Sequence, residues 1–289
     1  YKFQIIIPSK MRLTNILYLF IIYVSSLSVV SCSTNVKNEE DRIITVSIEP
    51  LRYFTESVVG DKFKVVSMVP NGNSPETYEP SPEQMAGLAS STIYISVGNL
   101  GFENTWLDRF RKLNPDMKVV NSSSGIYMLN SANGIPDPHV WMGCGNAMKM
   151  IDNICKAVCE TDTSNCRYYM SRADSIKKQI LMLKKSLSTK IVGKGAFIIY
   201  HPSLTYFAEE FHLKQIPMEE EGREPGARQI ARVIDYARKL GVRKMLIQKE
   251  FSNSNIEPMV KTLGISTGVI NPLSYDWMGE MANTAKALE

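Results

Sequence analysis

Imidazole is scarce in this chain. Of its 289 residues only His139, His201 and His212 are histidines. Imidazole and carboxylate together are the side chains of a first-row metal site. Such a site must here be frugal with nitrogen, and a His-rich metal tract is excluded. His139 stands behind Asp137-Pro138 and ahead of Val140-Trp141, at a helix opening, and His201 closes the strand-like run Ala196–Tyr200. Glu250 and Asn271 each lie just past a further strand-like run, and Glu76 lies just past the second strand of the first half. His212 sits at the end of the helix-like run Leu204–Phe211, where a cation suits the helix dipole, and reads as structural. Glu219-Glu220-Glu221 opens a turn-rich loop and reads as solvated surface. HExxH is absent, so no zinc-hydrolase motif places a general base.

The elements that must position these groups alternate between strand and helix. Ile43–Ile48, Phe63–Val69, Thr92–Val97 and Met117–Val120 read as strands. Pro50–Val59, Ser81–Ala89, Glu103–Leu113 and Gly145–Cys159 read as helices, the second with Ser81 as N-cap and Pro82 at the first helical position. After residue 190 the pattern resumes, with strands Ala196–Tyr200, Lys244–Gln248 and Gly268–Ile270 and helices Leu204–Phe211, Ala227–Leu240, Ile256–Leu263 and Trp277–Leu288. This alternation predicts two parallel-sheet α/β lobes. Between them, residues 166–190 contain no Gly or Pro, and Tyr169, Ile176, Ile180, Leu183 and Leu187 recur at helical spacing. That segment reads as one long helix linking lobes at 42–165 and 191–289. In open α/β sheets ligands bind beyond the carboxyl ends of strands, so the polar groups above converge if the lobes face each other across a cleft.

Composition is ordinary for a globular chain, 44% apolar and 21% charged, which excludes collagen-like and wholly disordered classes. Residues 1–31 read as a secretory leader: Arg12 follows Met11, Ile16–Val24 is apolar, and small residues lead to Cys32. The chain opens at Tyr1, and residues 1–10 read as upstream of a start at Met11. Val29-Val30-Ser31-Cys32 resembles a bacterial lipobox, whose Cys carries lipid. Cleavage before Cys32 removes Lys2, Lys10 and Arg12 and no acids, taking the formal charge from +4 to +1. That near-neutrality gives no argument for nucleic acid. Residues 32–41 then form a polar tether. Cys144, Cys155, Cys159 and Cys166 remain, and four cysteines allow three pairings.

Four motifs resemble one family. They are Asn73-Ser-Pro-Glu-Thr-Tyr-Glu-Pro-Ser-Pro82, Asp137-Pro-His-Val-Trp141, Tyr200-His-Pro-Ser-Leu-Thr-Tyr-Phe207 and Ile270-Asn-Pro-Leu-Ser-Tyr-Asp-Trp277. With the lipobox they resemble, in order and over the mature chain, the periplasmic zinc/manganese-binding lipoproteins of ABC-type metal importers. The resemblance implies two α/β lobes joined by a rigid helix, with metal held between them. It implies His139 and His201 as ligands, with Glu76 where the family usually has His and Asn271 where it has Asp when that position is used. Glu250 is the alternative to Asn271, as is a water. No His-rich loop precedes the Asp-Pro-His motif, since 121–137 lacks His. Two imidazoles and a carboxylate suit Zn²⁺, with Mn²⁺ as the alternative. The implied function is extracytoplasmic capture of a metal by a monomeric, non-enzymatic lipoprotein that delivers it to an ABC permease. A periplasmic zinc hydrolase and an adhesin that has lost its metal site are the competing readings.

Overall fold

The computed structural model describes residues 42–131, 134–191, 193, 195–219, 225–249 and 256–289. The leader, the lipobox Cys32, the tether and Glu250 lie outside the described residues. Each lobe is built on a four-stranded sheet in which every pairing is parallel. The first lobe runs β1 (Ile43–Val46), α1 (Glu49–Val59), β2 (Lys64–Ser67), α2 (Pro82–Leu88), β3 (Ser91–Ser96), α3 (Gly101–Leu113), β4 (Lys118–Asn121) and α4 (Cys144–Thr161). The second runs β5 (Ala196–Ile199), α6 (Thr205–Glu210), β6 (Lys214–Pro217), α7 (Ala227–Lys239), β7 (Lys244–Gln248), α8 (Glu257–Leu263), β8 (Ser266–Ile270) and α9 (Trp277–Ala287). The linking helix α5 is Cys166–Ile191. Strand orders are β2-β1-β3-β4 and β6-β5-β7-β8. The order reverses between β1 and β3 and again between β5 and β7, the two places where this topology opens a ligand crevice.

The linking helix spans 26 residues, about 39 Å at ~1.5 Å per residue. Its buried positions Tyr169, Ala173, Ile176, Ile180, Leu187 and Ile191 form one stripe, the 3–4 spacing of a helix with a single covered face. The charged opposite side leaves it unsuited to lipid; no helix among the described residues is long and apolar enough to cross a membrane. That stripe joins a hydrophobic cluster running from Ile44, Phe54 and Ile95 through α5 to Phe197, Phe207, Leu246 and Trp277. Both lobes therefore share one core. A smaller cluster around Ile198, Met218 and Met245 covers the other side of the second sheet.

Polar contacts lock the seam. The Trp141 indole donates to Pro272 O at 2.8 Å, and the Trp277 indole donates to Trp141 O at 2.8 Å. Glu210, on α6, accepts from the Cys144 and Gly145 amides at 2.6 and 2.9 Å and pairs with Lys184 of the linking helix at 2.8 Å. A carboxylate thus satisfies the first orphan donors of α4 from across the seam, where the helix dipole favours negative charge.

The corner between α4 and α5 is closed by a disulfide, Cys159–Cys166, while Cys144 and Cys155 are free and buried. Beside it, Asp162 accepts from Tyr169 (2.5 Å), Ser164 (2.7 Å), Asn165 (2.9 Å) and Arg42 (2.9 Å). Burial works against ionisation of Asp162, but these hydrogen bonds outweigh it and hold the carboxyl well below the usual range. A depressed folded-state value adds stability that is complete above the unfolded value, near ~3.9. It is lost as pH falls through the folded value. Asp162→Asn should therefore lower Tm at neutral pH, and the gap from wild type should narrow as pH drops below about 4. A gap constant with pH would refute this.

One strand was not expected from the sequence. β6 is four residues long, sits at a sheet edge, alternates toward solvent and ends at Pro217. Neither length nor apolar period marks it, and proline confines such a segment to an edge or strand end. The expected helix opening at His139 is instead a 3-10 turn, Val140–Met142, with α4 starting at Cys144.

Candidate metal centre

Each ligand-type side chain is set by its own element. Glu76 lies on the loop between β2 and α2. Gln84 ties the loop's start to its end, its amide donating to Met68 O at 2.6 Å while the Ser81 hydroxyl accepts from its backbone N–H. The loop rests on the N-terminus of α3. Phe102 N donates to Pro75 O at 3.1 Å, and a Cβ on Gly101 would lie 2.4 Å from Glu76 O and 3.1 Å from its carboxylate. Only glycine lets the helix end come this close, and the dipole there favours the Glu76 anion. The turn before α3 is fixed by Glu103, fully buried, which accepts from Val97 N and Gly98 N at 2.7 Å and from the Ser47 hydroxyl. Burial pushes the Glu103 carboxyl pKa up, and those hydrogen bonds oppose the shift.

His139 is buried and held by the carboxylate two residues before it. Asp137 Oδ1 lies 2.8 Å from both the His139 backbone N and its Nδ1, and Asp137 Oδ2 accepts from the Thr205 hydroxyl of the second lobe at 2.5 Å. The ring also packs on Trp141, with centroids 5.2 Å apart. Burial lowers the His139 pKa, but Asp137, with Glu76 and Glu219 beyond, outweighs it and holds the imidazolium above its ordinary value. Asp137 shows the reverse: burial raises its pKa, and His139 and Thr205 bring it below the usual range.

His201 follows β5, on the second lobe. The side chain of Gln248, at the end of β7, pairs with both its backbone N and O. Its Nδ1 faces Glu219 Oε2 at 3.2 Å, and its Nε2 lies 3.3 Å from His139 Nε2. Two ring nitrogens at that distance need one proton between them, so one imidazole donates to the other. The ligand atoms of Glu76, His139 and His201 all lie within 4.8 Å of one another, with Glu76 exposed, His201 half-buried and His139 buried. The surrounding cavity holds about 20 Å³ and is walled by Ser74, Pro75, Glu76, His139, Trp141, His201, Ser203, Gln248, Pro272 and Leu273. That is room for an ion or a water, not for an organic substrate.

The remaining expectations meet different fates. Asn271 does not wall the cavity. Its Oδ1 accepts from Leu273 N at 3.2 Å and its own N donates to Glu280, the Asx turn that opens the Pro272 corner. Glu219 overturns the reading of its run as solvated surface. It is 5% exposed and sits behind His201, because the unexpected strand β6 ends just before it; Glu220 and Glu221 lie outside the described residues. His212 is far in role from the site: it turns the chain after α6 with φ 55°.

The profile of the family described as "ZnuA: Zinc-uptake complex component A periplasmic" matches residues 44–289. The chain belongs to the ZnuA family. Members of the ZnuA family are solute-binding proteins for transport rather than enzymes. A crystal structure of ZnuA superposes with TM-score 0.81 at 32% identity, covering 86% of this chain and 99% of that one. The chain is 26% identical over 282 residues to the high-affinity zinc uptake system protein ZnuA of Bacillus subtilis (strain 168), covering 88% of each. It is also 26% identical over 286 residues to the manganese-binding lipoprotein MntA of Halalkalibacterium halodurans, covering 93% of this chain and 90% of that one. The resemblance carried by the four sequence motifs and the two-lobed parallel fold with its long helix are thereby confirmed.

Proposed function

We propose that this ZnuA-family protein captures one zinc ion outside the cytoplasmic membrane and delivers it to the permease of an ABC importer. The observation that carries the reading is the convergence of Glu76, His139 and His201 within 4.8 Å in a cavity the size of an ion. Glu76 Oε, His139 Nε2 and His201 Nε2 supply three ligands, and water takes the fourth place of a tetrahedral shell. Two imidazoles favour zinc over manganese, and so does the general affinity order. The manganese-binding relative keeps Mn²⁺ as the second reading. The small cavity counts against a hydrolase, which needs space for substrate beside its metal. We further propose that Cys32 carries a lipid anchor and that the protein acts as a monomer, in keeping with relatives named as lipoproteins.

Elemental analysis of the purified protein should find one zinc per chain, retained when manganese is added at equal concentration and removed by a strong chelator. Manganese displacing zinc under those conditions would reverse the assignment. Absence of both metals after loading would end the metal-binding reading.

A further inference from the structure

Glu219 is a buried carboxylate with no part in the fold's apolar core. Its backbone N donates to Tyr200 O at 2.9 Å, which draws the end of β6 against the residue before His201. Its side chain then reaches the ring of His201, Oε2 to Nδ1, at 3.2 Å. Nδ1 and Nε2 lie on different sides of an imidazole, so Glu219 addresses the edge that faces away from the cavity. Its oxygens do not join the group formed by Glu76, His139 and His201. On the other lobe Asp137 does the same for His139, 2.8 Å from Nδ1. The two imidazoles are thus backed symmetrically, one carboxylate from each lobe, and their Nε2 atoms are turned toward one point.

We infer that Glu219 is the positioning residue of His201: it accepts the Nδ1 proton, fixes the ring so that Nε2 carries the lone pair, and places a negative charge behind a centre that has only two imidazoles. Outer carboxylates of this kind set the tautomer and orientation of a metal-binding histidine and raise its donor strength. Here the need is greater than in a site of three imidazoles, because His201 supplies half of the nitrogen. The inference rests on the metal-binding reading above, and it assigns to Glu219 a function that the position of its acidic run gives no hint of.

The test compares wild type with Glu219→Ala and Glu219→Gln, using zinc alone as the probe in competition with a chelator of known affinity. Glu219→Ala should weaken zinc binding ~10–100-fold. Glu219→Gln keeps an oxygen able to accept from Nδ1 and should recover part of the loss. Thermal unfolding of the metal-free proteins checks that both variants fold. The separate readout is the tautomer of His201 in metal-free protein, followed by ¹⁵N NMR. The proton should reside on Nδ1 in wild type and Glu219→Gln, and shift toward Nε2 in Glu219→Ala. Unchanged zinc affinity in Glu219→Ala, or a wild-type His201 protonated at Nε2 with Nδ1 bare, would overturn the inference. So would complete loss of binding in Glu219→Gln, which would make Glu219 a ligand. If Glu219→Ala does not fold, the tautomer in wild type and Glu219→Gln decides alone. Should wild type bind no metal, the metal reading fails by itself, while the ¹⁵N signal still tests the contact.

Discussion

His139→Ala is expected to lower zinc affinity by more than the ~10–100-fold that follows loss of an outer partner, leaving the fold intact. The ring is buried, and both its nitrogens are committed: Nδ1 to Asp137 and Nε2 toward His201 at 3.3 Å. Alanine removes one of the three proposed ligand atoms and leaves Glu76 and His201, a pair too few to hold zinc against water. It also strands Asp137, whose charge then faces only the His139 backbone amide and the Thr205 hydroxyl. His201→Ala should act alike, since it removes the other nitrogen. Competition titration against a chelator measures both, and far-UV circular dichroism checks the fold. Wild-type affinity in either variant would remove that residue from the centre.

The second large effect concerns the seam. Trp277→Ala should destabilise the protein by roughly 3–5 kcal/mol, the range for truncating a buried aromatic. Trp277 is 1% exposed, its ring meets Phe54 edge-on with centroids 5.2 Å apart, and its indole N–H satisfies Trp141 O. Trp141 in turn reaches across to Pro272 O. Removing Trp277 opens a cavity in the core common to both lobes and leaves the Trp141 carbonyl without its donor. Trp277→Phe keeps much of the apolar contact and loses the donor, so about 1–3 kcal/mol is expected. Urea unfolding gives both, read as a fall in midpoint at constant slope. A loss under ~1 kcal/mol for the alanine variant would show that the seam is not held there.

The two-lobed plan was legible because most of its elements carry strong local signals. Ile43–Val46 and Ser91–Ser96 are apolar runs, α5 has 26 residues without Gly or Pro, and Ser81-Pro82 announces a helix start. Element ends shifted by at most two residues, as caps and frayed turns allow. β6 was not legible, since Lys214–Pro217 has no apolar period and draws its order from pairing with β5. That omission hid Glu219. Had the strand been recognised, its carboxyl end would have marked Glu219 as it marked His201. Gly101 was invisible for another reason: its role is a close approach to Glu76 O, a fact of tertiary structure with no sequence period. Asn271 shows how a polar residue at a strand end can be occupied locally, its side chain accepting from Leu273 N in its own turn.

The gradient of exposure across the three converging groups has a kinetic meaning. Glu76 is open to solvent, His201 is partly covered and His139 is enclosed. Because one continuous core spans the lobes, a wide gape would have to expose shared apolar surface before it freed all three proposed ligands together. Ligand exchange at the proposed centre would then proceed stepwise from the wet side. In the proposed centre an arriving ion would meet the exposed Glu76 carboxylate first and shed its hydration as it passed inward to nitrogen. On that reading departure would retrace the path, with the Glu76 bond breaking first and the His139 bond last. A receiving protein that offered a competing oxygen or nitrogen donor at the Glu76 edge would take over coordination by substitution, and the ion would never cross bare into water.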